Sequence, residues 1–417
     1  MYTLRNDCRL CHGPICKVLE LKDTALANEF VKLSFDTKQE VFPLGLWKCE
    51  KCCHVQLPIV VDPNRLFSNY VYVAGTSPVF VKHFEEYSNT CIDLSKLTVN
   101  DLVIDIGSND GTLLRFFKNH GAKILGIDPA IDISKRANEE GIETINSFFT
   151  YSLSETIKNQ YGKARLITAN NVFAHADDLS DILSGVENLL TDDGIFVFEV
   201  SYLVDVIINN LFDTIYHEHL SYHHLYPLID FIERHHLHVF DAHRVNTHGG
   251  SIRVYCKRQP IPTSSSLRQL LDQEYELGLC LNSDPLNGYD AIAGLNHKIN
   301  KLSQDLKSYL LQEKIDGSSI AGFGAPAKAT TLMYQFGFDK GLIDFIVDDS
   351  PLKQGLYSPG LHIPVVPSSW LYEKKPDLVV ILAWNFAESI IKNHQRYLDE
   401  GGVFIIPIPE FKIITNS

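Results

Sequence analysis

Four cysteines stand in two pairs, Cys8 with Cys11 and Cys49 with Cys52, and 37 residues separate the pairs. Each pair is spaced to bite a metal from a tight turn, and four thiolates close a tetrahedral Zn2+ shell with no position left for water. The expected metal is therefore structural rather than catalytic. Disulfides would demand an oxidising compartment. Cys16, Cys53 and His12 lie close by, break the pairing and are expected to be spectators.

A second constellation begins at Val103, where an aliphatic run reaches Asp105, the turn Gly107-Ser108-Asn109-Asp110-Gly111 and a helix-like segment ending at His120. Another short run follows and ends at Asp128, 21 residues beyond Gly107. Glycine lets backbone approach a ligand, a helix start offers unpaired N–H groups, and an acid ending the second strand can take both ribose hydroxyls. The pattern suits an adenosine-containing cofactor. A dinucleotide loop would carry a second glycine where Asn109 stands, and Asp105 and Asp110 would repel a pyrophosphate. Those two acids suit the cationic sulfonium and amino group of S-adenosylmethionine. Asn170 and Asn171 end a later strand, where such domains place polar groups beside a methyl donor.

Nine of the 17 histidines fall between His217 and His248. None shows the helical spacing of a zinc-hydrolase pair, and most are expected to be solvated or satisfied in the core, among them His235, His236 and His238. Tyr216, Glu218 and His219 are the exception. An imidazole beside a carboxylate suits general acid/base work, and the run Ser221-Tyr222 that follows implies a wet polar pocket.

Positioning these groups requires a scaffold, and alternating aliphatic runs and amphipathic segments supply one. Runs at 101–106, 122–128, 164–172 and 193–200, with helical patterning at 111–120 and 179–190, read as a parallel sheet with crossover helices. A second set follows near the C-terminus, with runs at 319–326, 342–349, 376–384 and 401–409 and helices at 329–338 and 386–398. A helical stretch from 264 to 314 joins them. The expected fold class is α/β: a small zinc module over 1–65, a Rossmann-like domain over 66–260 and a second Rossmann-like domain over 261–417, with the cleft between the last two as the natural binding place. Lys plus Arg number 37 against 51 for Asp plus Glu, a net charge of -14, the wrong sign for nucleic acid or an anionic membrane. No apolar run approaches the length of a membrane span and no signal-type segment opens the chain, so a cytoplasmic small-molecule enzyme is expected, its oligomeric state left open with a monomer as one option.

Taken together, these motifs resemble the bacterial nucleotide-sugar C-methyltransferases that act on 4-keto deoxyhexoses, and the resemblance runs over nearly the whole chain. It is carried by the two cysteine pairs, Val41-Phe42-Pro43-Leu44, Val55-Gln56-Leu57, Tyr70 with Tyr72, the Gly107–Gly111 loop and Asn171 to His175. Further along it is carried by Tyr216, Glu218 and His219 with Ser221-Tyr222, and by His248 to Arg253. In the C-terminal part it includes Gly322 to Lys328, Asp348 to Pro351, Lys353 to Gly355 and Pro359 to Pro364. The chain departs from the family where serines commonly follow the tyrosines, here Ala74 and Gly75, and in the added His223 and His224; these positions are expected to neighbour the sugar pocket.

The resemblance implies a class I methyltransferase that joins a methyl group from S-adenosylmethionine to carbon. Carbon becomes nucleophilic if a neighbouring ketone turns deprotonation into enolate formation. His219 would take the C3 proton with Glu218 orienting it, and Tyr216, Tyr72 or Tyr70 would donate to the enolate oxygen. Asp105, Gly107, Asn109, Asp110, Asp128, Asn170 and Asn171 would hold the donor. Lys328, with His175, His248 and Arg253, would meet a nucleotide diphosphate 4-keto sugar, the two cations serving as local positive groups on an otherwise repelling surface. Three alternatives stay open. O- or N-methyl transfer needs no ketone. A non-catalytic zinc and nucleotide scaffold would need no base. A nicotinamide oxidoreductase is suggested by Gly322–Pro326, although the first acids beyond that loop, Asp339 and Asp344, stand in the wrong place for a ribose.

Overall fold

A computed structural model describes residues 2–32, 38–68, 75, 78–247, 249–281 and 291–416. The chain forms two compact units, and neither is continuous in sequence. The first comprises Met1–Cys16, Lys48–Val204 and Leu220–Tyr289; the second comprises Lys17–Trp47, Asp205–His219 and Asp290–Ser417.

The first unit is built on a seven-stranded sheet. Its strands are β1 (Leu102–Ile106), β2 (Lys123–Ile127), β3 (Thr144–Ile145), β4 (Ala164–Asn170), β5 (Leu190–Ser201), β6 (His238–Val245) and β7 (Ser251–Lys257). The spatial order is β3-β2-β1-β4-β5-β7-β6; β7 alone runs antiparallel to its neighbours β5 and β6, and the other six strands share one direction. Strand β1 is buried at every position, as the continuous aliphatic run requires of a strand covered on both faces. The order reverses between β1 and β4. At such a switch point the carboxyl ends of the strands leave a crevice for a ligand. Register pairs Ile106 with Ala169, so Gly107 and Asn170 come next side by side, Asn170 still paired with Glu199.

Helix α1 (Pro78–Ser95) carries His83 and Tyr87, and α2 (Thr112–His120) starts directly from the glycine turn. Leu113, Leu114 and Phe117 of α2 are buried against Val103, Leu166 and Val197. Gly121 adopts φ 101° and ends the helix, sending its N–H back to Phe117 and Lys118 carbonyls, a left-handed cap that glycine adopts without strain. Ser221–Tyr222 pairs antiparallel with Val55–Gln56, close in sequence to the second cysteine pair.

The second unit carries a six-stranded sheet of β8 (Ile320–Phe323), β9 (Ile346–Val347), β10 (Val365–Val366), β11 (Leu378–Ile381), β12 (Val403–Ile406) and β13 (Lys412–Ile414), in the order β10-β9-β8-β11-β12-β13. Only β13 is antiparallel. The order reverses between β8 and β11, and α3 (Ala327–Phe336) follows the loop after β8. Two stretches from far upstream belong to this unit: Lys17–Trp47, which holds most of the neighbouring strands Ile15–Thr24 and Phe42–Cys49, and the turn region 205–219. The expected helix at 386–398 is two pieces, Ala387–Asn393 and Gln395–Asp399. His394 interrupts it, with its ring held by the Tyr372 hydroxyl at 2.9 Å. No helix among the described residues is long and apolar enough to cross a membrane.

Among the described residues of the histidine cluster, His217, His223 and His224 are buried core groups, His236 and His243 are exposed and His235 and His238 are half-buried, in line with the expectation of solvated or core-satisfied rings. In the first unit His223 and His224 are fully buried, and their Nε2 atoms donate to the carbonyls of Phe173 and Leu279. Burial pushes His224 down to about 3, against the opposing backbone bond. An unfolded histidine titrates near pH 6.5, so the stability gained from the neutral ring is complete above that pH and is lost as the pH falls toward 3. The stability advantage of the wild type over His224→Gln should therefore shrink by about 1.4 kcal/mol per pH unit on acidification below 6.5. Denaturant titrations at several pH values measure this; a constant difference contradicts it.

Candidate active site

The cysteine cluster lies wholly within the first unit. Cys8, Cys11, Cys49 and Cys52 place their sulfurs within 4.8 Å of one another, with Cys8 to Cys52 and Cys11 to Cys49 each at 3.5 Å. A tetrahedral zinc–thiolate site separates its sulfurs by about 3.8 Å, so the set fits a zinc ion. Backbone N–H groups of Leu10, Lys51 and Cys52 donate to Cys8 and Cys49 sulfurs, the local turns that the paired spacing implies. The bond from Cys52 pulls the Cys8 thiol down to about 5, while Cys52 is pushed far up by the same contact and Cys11 is pushed to about 11 by burial. Four thiolates this close need a central cation to coexist. Cys16, Cys53 and His12 lie outside the cluster; Cys16 is exposed, and His12 pairs with Asp7 at 2.7 Å.

The glycine loop of the first unit lies at the switch point. Gly107 takes φ 71°, and a Cβ there would lie 2.2 Å from Val172 Cγ2, so side-chain-free backbone is required. Asp128 ends β2; one carboxylate oxygen accepts the Asn109 N–H at 2.9 Å and the other the Ala130 N–H at 2.8 Å. Asp105 is buried beside it and accepts from Thr168 at 2.6 Å; burial raises it to about 7, with the charge of Asp128 adding to the rise. Asp110 accepts from the N–H and hydroxyl of Thr112 and from the Gly75 N–H, so it caps α2 and ties down residue 75. Asn171 adopts φ 55° with its N–H on the Glu199 carbonyl. Both polar atoms of the Asn170 side chain, and Ser108 Oγ, are buried with no partner among the described residues. Unsatisfied buried groups are costly, and their position around a loop that excludes side chains fits a polar methyl donor.

Arg253, on β7, is less available than its sequence position implies. Its guanidinium lies 3.0 Å from Glu199, which also accepts from Thr247 and is 3.0 Å from His83 Nε2. Despite burial, those partners hold the Glu199 carboxyl below its ordinary range. His175 stacks on Phe67 at 5.4 Å. Tyr70, Tyr72 and His248 lie outside the described residues.

In the second unit the loop after β8 repeats the first loop's plan. Gly324 takes φ 86°, and a Cβ there would meet Ala383 Cβ at 2.4 Å. Asp348, just past β9, accepts the Ala325 N–H at 2.6 Å with one oxygen and the Ser350 N–H at 2.8 Å with the other. This is the acid that counting residues from the loop missed, because Asp339 and Asp344 precede β9. Lys353 donates to the Ala325 carbonyl at 2.8 Å. Lys328, in the first turn of α3, holds its ammonium 3.9 Å over the Trp384 ring. Burial lowers Lys328 to about 8, and Asp213 opposes that fall. Trp384 in turn donates to Asp213 at 2.6 Å.

Tyr216, Glu218 and His219 also belong to the second unit. The Tyr216 and His219 rings lie 4.1 Å apart. His219 Nδ1 donates to the Thr214 carbonyl at 2.7 Å, which leaves Nε2 as the acceptor nitrogen of the ring. Burial lowers His219 to about 4, so the ring is neutral at physiological pH. Glu218 is buried and accepts from Asn28 Nδ2 at 2.6 Å. Asn28, Asp213 and Trp384 carry no motif; they join the site only because distant segments fold together.

Three protein families match the chain in order: a zinc binding domain over residues 8–67, a methyltransferase domain over 83–247 and a C-methyltransferase C-terminal domain over 246–409. The chain is 35% identical over 416 residues to C-methyltransferase NovU of Streptomyces niveus, covering 98% of this chain and 97% of that one. Among solved structures, it is similar to an S-adenosylmethionine-dependent methyltransferase from Clostridium acetobutylicum at 15% identity and TM-score 0.35, over 43% of this chain and 92% of the other. A magnesium protoporphyrin IX methyltransferase from Synechocystis matches at 14% identity and TM-score 0.33, over 47% and 89%. Metal analysis of the purified chain should give one zinc per molecule, and Cys52→Ser should lower both the zinc content and the melting temperature. A stoichiometry well under one contradicts the four-thiolate site.

Proposed function

The chain belongs to the S-adenosylmethionine-dependent C-methyltransferase family, and from that premise we propose that it methylates C3 of a nucleotide-linked 4-keto deoxyhexose through an enolate. The observation that carries this reading is the state of His219. Its Nδ1 proton is committed to Thr214, its ring is neutral, and Glu218 is its chain neighbour. A neutral imidazole with a fixed tautomer is a proton acceptor ready at neutral pH.

In the proposed step the C3–H bond breaks, the proton passes to His219 Nε2, and the electron pair moves onto the 4-keto oxygen. Tyr216, whose ring lies against His219, donates to that oxygen as its charge grows, a contact stronger in the transition state than in the ground state. Tyr70 and Tyr72 are candidates for the same task. S-adenosylmethionine, when bound, supplies an electrophilic methyl group. Asp128 and Asp105, with Gly107, Asn109, Asn170 and Asn171, are the groups proposed to hold it, and Asp110 supports the loop through α2. In this reading Lys328 meets the diphosphate, still largely protonated at neutral pH, while His175 and His248 serve the substrate side. Arg253 neutralises Glu199 beside the strand ends.

The proposed division of labour is a zinc module over 1–65, a donor-binding domain over 66–260 and a nucleotide-sugar domain over 261–417. The family matches, with breaks near residues 67 and 246, support it. The paired backbone bonds of Asp348 support a nucleoside-binding role for the last domain, since each carboxylate oxygen keeps a second lone pair for a ribose hydroxyl.

The test is hydrogen exchange in deuterated water with a thymidine diphosphate 4-keto-6-deoxyhexose and S-adenosylhomocysteine. The wild type should wash deuterium into C3, and His219→Ala should slow this by roughly 10²- to 10⁴-fold. Exchange at the normal rate in His219→Ala would remove the assigned base.

A further inference from the structure

We propose that Asn28 is a positioning residue for Glu218; the inference rests on the role given above to the Glu218–His219 pair. Asn28 lies 190 residues upstream of Glu218, yet its amide Nδ2 donates to Glu218 Oε1 at 2.6 Å. Both residues belong to the second unit.

Two adjacent threonines of α3 bring them together. Thr330 Oγ1 donates to the Ala27 carbonyl at 3.2 Å, and Thr331 Oγ1 donates to the Ile215 carbonyl at 2.7 Å. Successive positions on one helix therefore hold the turn that carries Asn28 and the segment that leads to Glu218. The Asn28 turn is closed locally by the Phe30 N–H on the Asn28 carbonyl and the Glu29 N–H on the Leu26 carbonyl. The Glu218 segment is fixed on the other side by Asp213 with Trp384, and by His217 Nε2 donating to the Pro43 carbonyl at 3.1 Å. The amide and the carboxylate meet because both backbones are tied to the same frame.

A neutral amide donor satisfies one carboxylate oxygen and favours the ionised form without adding charge. Glu218 is 3% exposed, and burial favours the protonated form of a carboxylate, so a donor held on it favours the ionised form. A protonated Glu218 would lose the charge that supports a developing imidazolium on His219. Asn28 thus acts through Glu218, and its effect should fall on the chemical step rather than on affinity. Burial lowers both ionisable chain neighbours of Glu218, His217 and His219.

The test compares the full-length wild type with Asn28→Asp, which keeps the shape and turns the donor into a carboxylate, and with Asn28→Ala. In protein labelled with 13C at glutamate carboxyls, the Glu218 signal is the one lost in Glu218→Gln. Its titration midpoint should rise by about half a pH unit in Asn28→Ala and by one unit or more in Asn28→Asp. Exchange at C3 of the thymidine diphosphate 4-keto-6-deoxyhexose should fall about tenfold in kcat for Asn28→Ala and further for Asn28→Asp, with KM changed less than twofold. Unchanged midpoints in both variants overturn the proposal, as does a loss confined to KM. If Glu218→Gln itself exchanges at the wild-type rate, the role given to the pair fails, whereas an impaired Glu218→Gln beside an unaffected Asn28→Asp removes the Asn28 proposal alone.

Discussion

Four cysteine sulfurs close a ring of chain that includes residues 17–47 of the second unit. Residues 8–16 and 48–53 belong to the first unit, while the 17–47 stretch between them is part of the second. Zinc bound by Cys8, Cys11, Cys49 and Cys52 pins both ends of that excursion at one point. A long loop closed by a metal gives up much of its freedom in advance. The excursion brings Asn28 to Glu218, and it supplies the Pro43 carbonyl that His217 binds. A structural metal in this position does no chemistry; it joins the two ends of the stretch that supplies Asn28.

The two sheets use one hydrogen-bonding device twice. In each, an acid just past the strand neighbouring the first accepts an N–H from the glycine loop with one oxygen and its own i+2 N–H with the other: Asp128 with Asn109 and Ala130, Asp348 with Ala325 and Ser350. Each loop also contains a glycine at positive φ whose Cβ would collide with the neighbouring strand's extension. The loops differ in what surrounds them. Asp105 adds a second buried acid to the first, and Lys328 adds a cation to the second. That contrast is what a cationic donor and an anionic diphosphate would each require.

The cysteine pairs and the first glycine loop were legible in the sequence because their chemistry depends on residues a few positions apart. The strands from Leu102 to Ser201 were legible for a related reason: a parallel strand buried on both faces reads as an unbroken aliphatic run. Asp348 stands in a motif, but its place as the acid of the second loop was not legible, because Asp339 and Asp344 precede β9 and a residue count stops there too soon. Asn28, Asp213 and Trp384 are ordinary polar and aromatic residues, and nothing local marks contacts made across 171 and 190 residues. Arg253 illustrates the converse. Its place in a motif singles it out, but only the folded chain shows that Glu199 already matches its charge.

If His219 is the base, as proposed, its burial makes it weakly basic, and the proposed ketone next to the methylated carbon supplies the activation that such a base needs. The most direct test follows the methyl group itself. The enzyme is turned over with S-adenosylmethionine labelled with 13C at the methyl and a panel of thymidine, guanosine and cytidine diphosphate 4-keto-6-deoxyhexoses, and the product is read by NMR. The predicted result is a carbon–carbon bond from the label to C3, with one C3 proton lost. A label attached to oxygen or nitrogen, or a product with its C3 protons intact, contradicts it.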